Sequence, residues 1–571
     1  MASAHPSLET FGNGPHPTDR LFDLLRKAQE QCGHVTEAAM RQVAASCDIA
    51  VKDVHAVASF FPTFRLTAPA KAEVRVCTDM SCHLRGASKL LTEIGTQYRE
   101  EVQAKACSCL GRCDKPVAVS VNGKIYSGAD SAAVSEMVSA VLLGRPLPQI
   151  SEPEPSIRFR SDPYDTPQQR YQTLREIVNA RNPDAVLAKL KEGGLRGMGG
   201  AGFPTAIKWA GAKDAPGAIK YVICNADESE PGTIKDRYIL QHAPHLVIEG
   251  MAIAGAVVGA REGIIYVRHE YEQLAQVLEQ EIERCYRAGV LGNMFSSSVH
   301  FDLRVFVSPG GYICGEETAL MEALQGKRGE PRNRPPRTVN HGLWGKPTAL
   351  NNVETFALAV TILAKGGAWF SEQGRAPAQG LKFVGVSGDV KRPGAFEIPM
   401  GISYRELIDS YAGGVIDGAS IVGFAPSGPS SGYLPASMLD LSIDWDVLRK
   451  AGSMVGSGAV VVCSDRACML DMAVNAVTFY RNESCGKCVP CRVGSQKLVE
   501  MLTAWTRGEF HEGDRALFEE LAHALRSTSI CGLGQILPAP IASVMKHFPE
   551  EVEDHLVRRK CRAGICFGGR A

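Results

Sequence analysis

Apolar residues recur at helical spacing near the beginning of the chain. Leu21, Leu24, Leu25 and Ala28 fall on one face of a helix, and we expect more helix as far as Phe60. The pattern therefore predicts a helical region before the first strand.

The next segments alternate apolar and polar residues as strands do. The run EVRVC predicts one strand, and VAVSVNGKIYSG predicts a hairpin, because its central Asn122-Gly123 pair suits a type I′ turn. Residues 1–144 are therefore expected to form a helical start and a small α/β unit. The following stretch, rich in Pro and Glu, predicts an extended linker over residues 145–168.

Beyond the linker, strand-like and helical patterns alternate. YVIC, IIYV and RVFV are strand-like and YEQLAQVLEQEIERCY is helical, which predicts a largely parallel sheet within residues 169–380. A second β-rich region begins with LKFVGVSGDVKRPGAF and spans residues 381–470. Helical patterns such as ALFEELAHALRSTS predict a helical region over residues 471–555, before a tail at 556–571. The predicted class is multidomain α/β.

Composition narrows the classes of function. The 571 residues predict three or four domains, and Lys plus Arg balance Asp plus Glu at 62 each, which disfavours nucleic acid and acidic membranes as partners. The polar N-terminus predicts no signal peptide, and the longest apolar run, Gly250 to Ala260, is too short to span a bilayer. Eighteen cysteines in a chain expected to be cytoplasmic indicate metal sites and buried thiols rather than disulfides.

The stretch ESCGKCVPCR places Cys485, Cys488 and Cys491 at a strict spacing of three. Three thiolates on one tight turn suit three corners of a [4Fe–4S] cubane, whereas a zinc site usually takes cysteine pairs from two knuckles. The remote Cys531 in STSICGLGQ is the candidate fourth ligand. A zinc knuckle or idle thiols are the alternatives.

A second set of cysteines lies in the first region. Cys77 and Cys82 are separated by four residues and Cys109 and Cys113 by three. Two such pairs beside strand ends fit a [2Fe–2S] cluster, and a zinc ion is the alternative. We interpret Cys107 as a spare thiol.

Several loops together outline a pocket for a phosphate-bearing cofactor. GLRGMGGAGFPTAIKW contains a GxGxxG pattern whose backbone amides could approach a phosphate, with Lys208 to supply charge. CNADESEPGTIKDR places Asp227, Glu228 and Glu230 after a predicted strand, where α/β sheets bind ligands. GGYICGEETAL adds glycines, an aromatic residue and paired glutamates, and ALNNVET adds two amides. Each loop alone is equally typical of a solvated surface loop.

These motifs together resemble the NADH-binding flavoprotein of respiratory complex I and its soluble relatives. The resemblance covers about residues 170–550 through RGMGGAGFPT, CNADESEPGTIKDR, YICGEETAL, GLWGKPTALNNVET, ESCGKCVPCR and SICGLGQ. Residues 1–144 resemble another subunit of the same enzymes, the thioredoxin-like [2Fe–2S] protein, through FDLLRKAQEQCGHV, VASFFPTF and CLGRCDKPVAVSVNGKIY. Their fusion resembles the diaphorase units of NAD-dependent formate dehydrogenases and hydrogenases.

The resemblance implies a thioredoxin-like [2Fe–2S] domain, a Rossmann-like FMN/NADH domain, a ubiquitin-like β-grasp domain and a helical bundle with the [4Fe–4S] cluster. It also implies hydride transfer between NAD(H) and FMN, and single-electron transfer through [4Fe–4S] to or from other subunits of a redox complex. Glu228 and Glu230 would be the catalytic carboxylates, which orient the nicotinamide.

The resemblance also implies individual cofactor contacts. The residues that would contact FMN are Gly197, Gly199, Lys208, Asn225, Asp227, Asn351 and Asn352. Those that would contact NADH are Phe203, Glu228, Glu230, Tyr312 and Glu317. The predicted cofactor-binding set is completed by Gly200, Gly202, Gly315 and Glu316. The predicted cluster ligands are Cys485, Cys488, Cys491 and Cys531 for [4Fe–4S], and Cys77, Cys82, Cys109 and Cys113 for [2Fe–2S].

The sequence departs from the family pattern near the expected adenosine end of the nucleotide. Met198 stands where Arg is usual, Gly211 where an aromatic residue is common, and NRPPRTV carries Arg334 and Arg337 where Lys-Pro-Pro-Phe is frequent. The added charge of Arg337 favours NADP(H), but we expect Glu330 to offset it and predict NAD(H) as the substrate.

The tail KCRAGICFGGRA contains Cys561 and Cys566, which we interpret as spare thiols. Two other functions remain open from the sequence. One is a cluster-bearing scaffold without flavin chemistry, and the other is an electron-bifurcating flavin subunit.

Overall fold

The computed structural model describes residues 20–98, 101–149 and 157–567. The first region contains three helices followed by a four-stranded sheet with three further helices. Its elements are α1 Leu21–Cys32, α2 Glu37–Cys47, α3 Val51–Ala58, β1 Ala72–Cys77, α4 Met80–Leu84, α5 Ala87–Tyr98, β2 Val102–Cys107, β3 Val119–Val121, β4 Lys124–Tyr126 and α6 Ser131–Leu142.

The strand order in this sheet is β2-β1-β3-β4, in which β1 and β2 run parallel and the other pairs antiparallel. The predicted hairpin is confirmed, because Asn122 and Gly123 join β3 to β4 with φ values of 47° and 87°. Both residues have the left-handed backbone conformation that a type I′ turn requires.

The helical start does not pack on the sheet that follows it. Residues of α1–α3 join a core that includes Tyr266, Ile313 and residues of the C-terminal helices. The Phe22 ring lies 5.9 Å from the Phe306 ring in an edge-on contact. The four-stranded sheet has a separate core around Val74. The first region therefore contacts the later ones through two different surfaces.

The second region is built on a five-stranded sheet. Its elements are α7 Gln172–Ala180, α8 Pro183–Glu192, α9 Thr205–Asp214, β5 Tyr221–Ala226, α10 Lys235–His242, α11 Pro244–Val258, β6 Glu262–Val267, α12 Glu272–Arg287, β7 Gly292–Asn293, β8 His300–Val307, α13 Glu317–Leu324, β9 Thr348–Asn352, α14 Val353–Lys365 and α15 Gly367–Glu372. The order β7-β8-β6-β5-β9 has four parallel strands and an antiparallel edge strand, β7. The predicted largely parallel sheet is therefore confirmed.

The second half of the predicted linker packs against this region. Phe159 and Tyr164 are buried, and the Tyr164 hydroxyl donates to the carboxylate of Glu249 on the buried helix α11 at 2.8 Å. Residues 145–149 form neither helix nor strand, and residues 150–156 lie outside the described residues, so an extended linker there stays a prediction.

The third region is a mixed five-stranded sheet of order β11-β10-β14-β12-β13. Its elements are β10 Leu381–Gly388, β11 Gly394–Pro399, α16 Tyr404–Glu406, β12 Ile421–Pro429, β13 Leu434–Pro435, α17 Trp445–Lys450 and β14 Ala459–Ser464. β10 and β14 run parallel, whereas the remaining pairs run antiparallel.

The last region is helical, as predicted. Its elements are α18 Met469–Asn482, α19 Val489–Thr506, α20 Asp514–Thr528, α21 Gly532–Ile536, α22 Ala539–His547 and α23 Pro549–Leu556. Across the described part of the chain, no helix combines the length and apolar character needed to cross a membrane.

Candidate functional site

The four predicted [2Fe–2S] ligands converge at one end of the four-stranded sheet. Cys77 ends β1, Cys82 lies in α4, and Cys109 and Cys113 lie in the loop after β2. All four are buried, and the Cys109 and Cys113 sulfurs are 3.4 Å apart, close enough to share one metal ion. Cys107 is half-buried at the end of β2 and remains a predicted spare thiol.

The [2Fe–2S] loop contacts the acidic loop that follows β5. The backbone N–H of Gly232 donates to the Cys113 sulfur at 3.2 Å. The buried guanidinium of Arg268 donates to the carbonyl oxygens of Glu228 at 2.5 Å and Cys109 at 2.6 Å. The loop that carries Cys109 and Cys113 therefore packs directly against the acidic loop.

A cavity of about 370 Å³ opens at the carboxyl ends of β5 and β9. Walls from three regions enclose it, since Ser430, Met454 and Gly532 also line it. Ten of the sequence-predicted cofactor residues line this cavity. They are Gly199, Gly200, Asn225, Asp227, Glu228, Glu230, Tyr312, Gly315, Glu316 and Asn352.

The polar groups of this cavity fit the FMN that the resemblance implies. One carboxylate oxygen of Asp227 accepts from Ser229 at 2.7 Å, while the other is buried and has no hydrogen-bond partner among the described residues. Burial raises the pKa of the Asp227 carboxyl to about 7. A Cβ on Gly199 would lie 2.9 Å from the Cβ of Asn352, whereas one on Gly200 would meet open space. The free carboxylate oxygen of Asp227 and the backbone of the neighbouring glycines could hydrogen-bond the polar groups of a flavin.

The two predicted catalytic carboxylates have different surroundings. Glu230 accepts from the Tyr312 hydroxyl at 2.5 Å and from the backbone N–H of Ser430 at 2.9 Å, and burial raises its pKa. Glu228 accepts from two backbone N–H groups of the first turn of α10, at 2.7 and 3.1 Å, and from Tyr271 at 3.0 Å. Burial, reinforced by the charge of Asp236, raises the pKa of Glu228 to about 8. Glu228 thus caps a helix while lining the cavity.

Lys235 and Asp236 line the cavity and are not in the predicted set. The Lys235 ammonium is fully buried and contacts Asp236 at 2.6 Å, Glu354 at 3.0 Å and Asn352 at 3.1 Å. Lys382 adds a second buried ammonium at 3.4 Å from Glu354. In the sequence, Lys235 and Asp236 are recognisable only as adjacent opposite charges in TIKDR. Their burial depends on Glu354, which is distant in sequence.

Six predicted cofactor residues lie outside the lining of this cavity. They are Gly197, Gly202, Phe203, Lys208, Glu317 and Asn351. The side-chain amide oxygen of Asn351 accepts from the indole N–H of the buried Trp209 at 2.9 Å, so this side chain holds α9 against β9. Lys208 pairs with Glu317 at 3.7 Å, and the Phe203 side chain is exposed.

The predicted [4Fe–4S] ligands lie at the starts of two helices. Cys488 precedes α19 and Cys491 occupies its first turn, whereas Cys531 precedes α21. Burial raises the pKa of Cys491 to about 12 and of Cys531 to about 11, and each feels the charge of Cys485. Helix N-termini favour negative charge, which suits thiolate ligands of a cluster.

Arg334 and Arg337, in the segment NRPPRTV that departs from the family pattern, lie on the surface. Arg334 contacts Glu316 at 2.6 Å and Glu317 at 3.3 Å. Glu330 pairs with Arg328 at 2.8 Å, so the expectation that Glu330 offsets Arg337 has no contact to support it.

Family models match four successive parts of the chain. They are described as Thioredoxin-like [2Fe-2S] ferredoxin at residues 8–142, Nuo51 FMN-binding domain at 190–361, SLBB domain at 383–433 and NADH-ubiquinone oxidoreductase-F iron-sulfur binding region at 471–555. NADH dehydrogenase [ubiquinone] flavoprotein 1, mitochondrial, of Dictyostelium discoideum is 41% identical over 384 residues, which cover 66% of this chain and 80% of that protein. The chain belongs to the NADH dehydrogenase flavoprotein 1 family.

Other relatives belong to complexes of a different kind, as their names describe. NADP-reducing hydrogenase subunit HndC of Solidesulfovibrio fructosivorans is 41% identical over 397 residues, covering 69% of this chain and 81% of that one. A solved structure of NAD+-reducing [NiFe]-hydrogenase in the H2-reduced state matches with a TM-score of 0.86 and 29% identity. That match covers 95% of this chain and 94% of the other.

Membership of this flavoprotein family confirms the predicted cofactors. The chain is an oxidoreductase subunit that binds FMN, a [2Fe–2S] cluster and a [4Fe–4S] cluster. It transfers hydride between NAD(H) and FMN and exchanges single electrons with partner subunits.

Proposed function

We propose that this chain is the NAD(H)-reacting diaphorase unit of a multisubunit complex in which another subunit converts a second substrate. The observation that carries this proposal is the near-complete match to a chain of NAD+-reducing [NiFe]-hydrogenase, which spans the [2Fe–2S] region as well as the FMN and [4Fe–4S] regions. The NADH dehydrogenase flavoprotein alone matches only 66% of the chain. A formate dehydrogenase is the other parent complex that the fusion favours.

We assign the cavity residues to two groups by position. Gly199, Gly200, Asn225, Asp227 and Asn352 would hold FMN, because they surround the cavity at the carboxyl ends of β5 and β9. Bound FMN supplies the conversion between two-electron hydride transfer and one-electron transfer. The Lys235 ammonium also lines this cavity, where the carboxylates of Asp236 and Glu354 offset its charge and hold it in place.

Glu230 and Tyr312 would position the nicotinamide of NADH. The Tyr312 hydroxyl and the Ser430 amide hold the Glu230 carboxylate in one orientation, so that it can accept from the nicotinamide carboxamide. Neither carboxylate needs to act as a nucleophile. Glu228 would contribute through α10, which it caps, and so by positioning Lys235 and Asp236.

The two proposed sets of cluster ligands would lie on different sides of this cavity. Gly532 and Leu533, which directly follow Cys531, line the cavity, and this supports a [4Fe–4S] cluster next to the FMN site. A second cavity of about 810 Å³ lies between the [2Fe–2S] region and the second region, and Cys109 and Tyr312 both line it. The electron route would leave the FMN site through the Cys531 side.

We also propose the finer division of the chain. Its parts are a thioredoxin-like domain at 1–144, a linker at 145–168, a Rossmann-like FMN/NAD domain at 169–380, a ubiquitin-like β-grasp domain at 381–470, a helical [4Fe–4S] domain at 471–555 and a tail at 556–571. The match of the SLBB model to 383–433 supports the fourth of these. The reducing cytoplasm suits a chain with eighteen cysteines and two clusters.

The test is purification of the tagged full chain from its own cells under anaerobic conditions, with its partners attached. We expect flavin and cluster absorption that NADH bleaches, and NAD+ reduction by either hydrogen or formate. Quinone-dependent NADH oxidation without either activity would place the chain in a complex I-type assembly. Cluster absorption without flavin would overturn the proposal in favour of a scaffold. Endergonic ferredoxin reduction that requires a second acceptor would indicate electron bifurcation.

A further inference from the structure

The C-terminal tail returns to the beginning of α18. Cys561 and Cys566, which the sequence suggested were spare thiols, lie beside Cys468 and His555. One ligand atom from each of the four residues lies within 4.8 Å of the others. Cys468 and His555 are fully buried, and the two tail cysteines are half-buried.

The spacing of these atoms fits one tetrahedral metal ion. The sulfurs of Cys468 and Cys566 are 3.7 Å apart, and the Cys468 sulfur lies 3.4 Å from Nε2 of His555. Zn–S bonds of about 2.3 Å and Zn–N bonds of about 2.0 Å at tetrahedral angles give about 3.8 Å between two sulfurs and about 3.5 Å between sulfur and nitrogen. A disulfide would instead bring two sulfurs to about 2.0 Å.

The imidazole is oriented for metal binding. Nδ1 of His555 donates to the carbonyl oxygen of Glu551 at 2.7 Å, which leaves the lone pair of Nε2 directed at the Cys468 sulfur. A metal-bound histidine characteristically donates its other N–H to a carbonyl or carboxylate. Glu551 is itself fixed, because its carboxylate accepts from the backbone N–H of Met469 at 2.7 Å.

The tail supplies a turn of the kind that presents thiolates to zinc. Cys561 and Cys566 are separated by four residues, within the usual range for a knuckle. The backbone N–H of Gly564 donates to the carbonyl oxygen of Cys561 at 3.1 Å, and Gly564 adopts the left-handed φ of 69° that the turn needs. This turn brings Cys566 back towards Cys561.

We propose that Cys468, His555, Cys561 and Cys566 bind one structural zinc ion. Three sulfurs and one imidazole nitrogen select zinc over oxygen-seeking cations, and four protein ligands leave no open position for substrate or water. The ion joins three elements: the N-terminus of α18, the last turn of α23 and the tail. Because α18 ends three residues before Cys485, the ion fixes the helix that leads to the [4Fe–4S] ligands.

The direct test is metal analysis of the anaerobically purified complex, together with zinc K-edge absorption of the same sample. We expect one zinc per chain beside the cluster iron, with a first shell of three sulfurs and one nitrogen. This measurement does not depend on the folding of any variant. Absence of zinc, iron in its place, or a mass two hydrogens lower from a Cys468–Cys566 or Cys561–Cys566 disulfide would overturn the proposal.

Variants separate this site from the clusters. Cys566→Ser is expected to lose the zinc and lower the unfolding midpoint, while the cluster EPR signals and NADH bleaching of the flavin remain. Cys107→Ser is the matched control, since Cys107 is a half-buried thiol outside the group. Full zinc retention in Cys566→Ser would contradict the assignment of that ligand. Cys561→His replaces a thiolate with an imidazole and gives a Cys2His2 donor set, which also binds zinc, so this variant is expected to retain the ion.

Discussion

The backbone N–H of Gly232 donates to the sulfur of Cys113 at 3.2 Å, so the acidic loop of the cavity directly contacts a predicted [2Fe–2S] ligand. Such N–H···S bonds favour the more negative, reduced cluster and raise its potential. Gly232 has a φ of 94°, and a Cβ there would lie 2.7 Å from Cγ2 of Val461. A side chain at Gly232 would therefore strain the backbone and overlap Val461, which would shift the N–H away from the Cys113 sulfur.

We therefore expect Gly232→Ala to lower the potential of the [2Fe–2S] cluster. Loss of one hydrogen bond of about 1 kcal/mol corresponds to roughly 40 mV for a one-electron couple. An EPR-monitored redox titration of the complex measures the shift. Gly123→Ala is the control, because Gly123 has a similar φ of 87° with open space around it. An unchanged potential in Gly232→Ala would show that the bond does not tune the cluster.

A second prediction concerns the [4Fe–4S] ligands. Cys488→Ser should remove one EPR-active cluster and electron transfer to the partner subunits, while FMN stays bound and NADH still bleaches it. The reason is that Cys488 lies at the N-terminus of α19 and does not line the FMN cavity. EPR and flavin content are measured on the same sample. Retention of the full cluster content would contradict the ligand assignment.

Glu230→Gln tests the nicotinamide position. One acceptor oxygen would replace the two that now serve Tyr312 and Ser430, and the charge would be lost. We expect KM for NADH to rise about tenfold, or roughly 1.4 kcal/mol, with FMN content unchanged. Because burial raises the pKa of Glu230, wild-type KM should also rise as pH falls, and the variant should lose that dependence. Glu330→Gln is the control, since Glu330 pairs with Arg328 outside the cavity.

An equal rise in KM in Glu330→Gln, or loss of FMN from Glu230→Gln, would place Glu230 elsewhere than at the nicotinamide. Steady-state rates with an artificial acceptor at several pH values measure both dependences. Asp227 and Glu228 line the same cavity and also have raised pKa values, so only the part of the slope that Glu230→Gln removes is assigned to Glu230.

Nucleotide choice is the fourth prediction, and we expect NADH to be preferred over NADPH. Arg334 is already paired with Glu316 and Glu317, so of the two arginines in NRPPRTV we expect Arg337 to be the one that could bind a 2′-phosphate. A charged hydrogen bond of about 1.5–3 kcal/mol changes affinity at most about a hundredfold. The measurement is kcat/KM for both nucleotides in the wild type and Arg337→Phe. A wild-type preference for NADPH that the substitution reverses would make Arg337 the specificity residue.

The sequence predicted those features whose determining residues lie close together in the chain. The hairpin at Asn122-Gly123 depends on two adjacent residues that tolerate positive φ, and the structure contains that turn. Ten predicted cofactor residues likewise meet in one cavity, because parallel strands bring their carboxyl-terminal loops together.

Features that depend on distant partners were not predictable. The buried charge of Glu354 is paired with Lys382 on β10 and with Lys235, which reaches it from α10. Cys468 and His555 lie 87 residues apart and have no motif of their own. The apolar face of the helical start shows that it packs against something, but the sequence pattern does not indicate against which sheet.

The last prediction concerns Glu249, which is fully buried in α11 away from the cofactor cavity. One carboxyl oxygen accepts from Tyr164 at 2.8 Å and from the backbone N–H of Leu174 at 3.0 Å, and the other has no hydrogen-bond partner in the part of the chain that the structure describes. Burial raises the pKa of the Glu249 carboxyl from 4.5 to about 7. The folded state therefore keeps a proton that the unfolded chain releases above pH 4.5.

It follows that this group's contribution to stability is fully present below about pH 4.5 and is lost as pH rises to about 7. Between about pH 5.5 and 7 the loss amounts to about 2 kcal/mol. Glu249→Gln keeps the acceptor oxygen and replaces the protonated oxygen with an amide that does not titrate. The unfolding midpoint of the variant relative to the wild type should thus increase with pH across this window. Exposed Glu519→Gln is the control, and parallel pH profiles for Glu249→Gln and the wild type would contradict a raised pKa at Glu249.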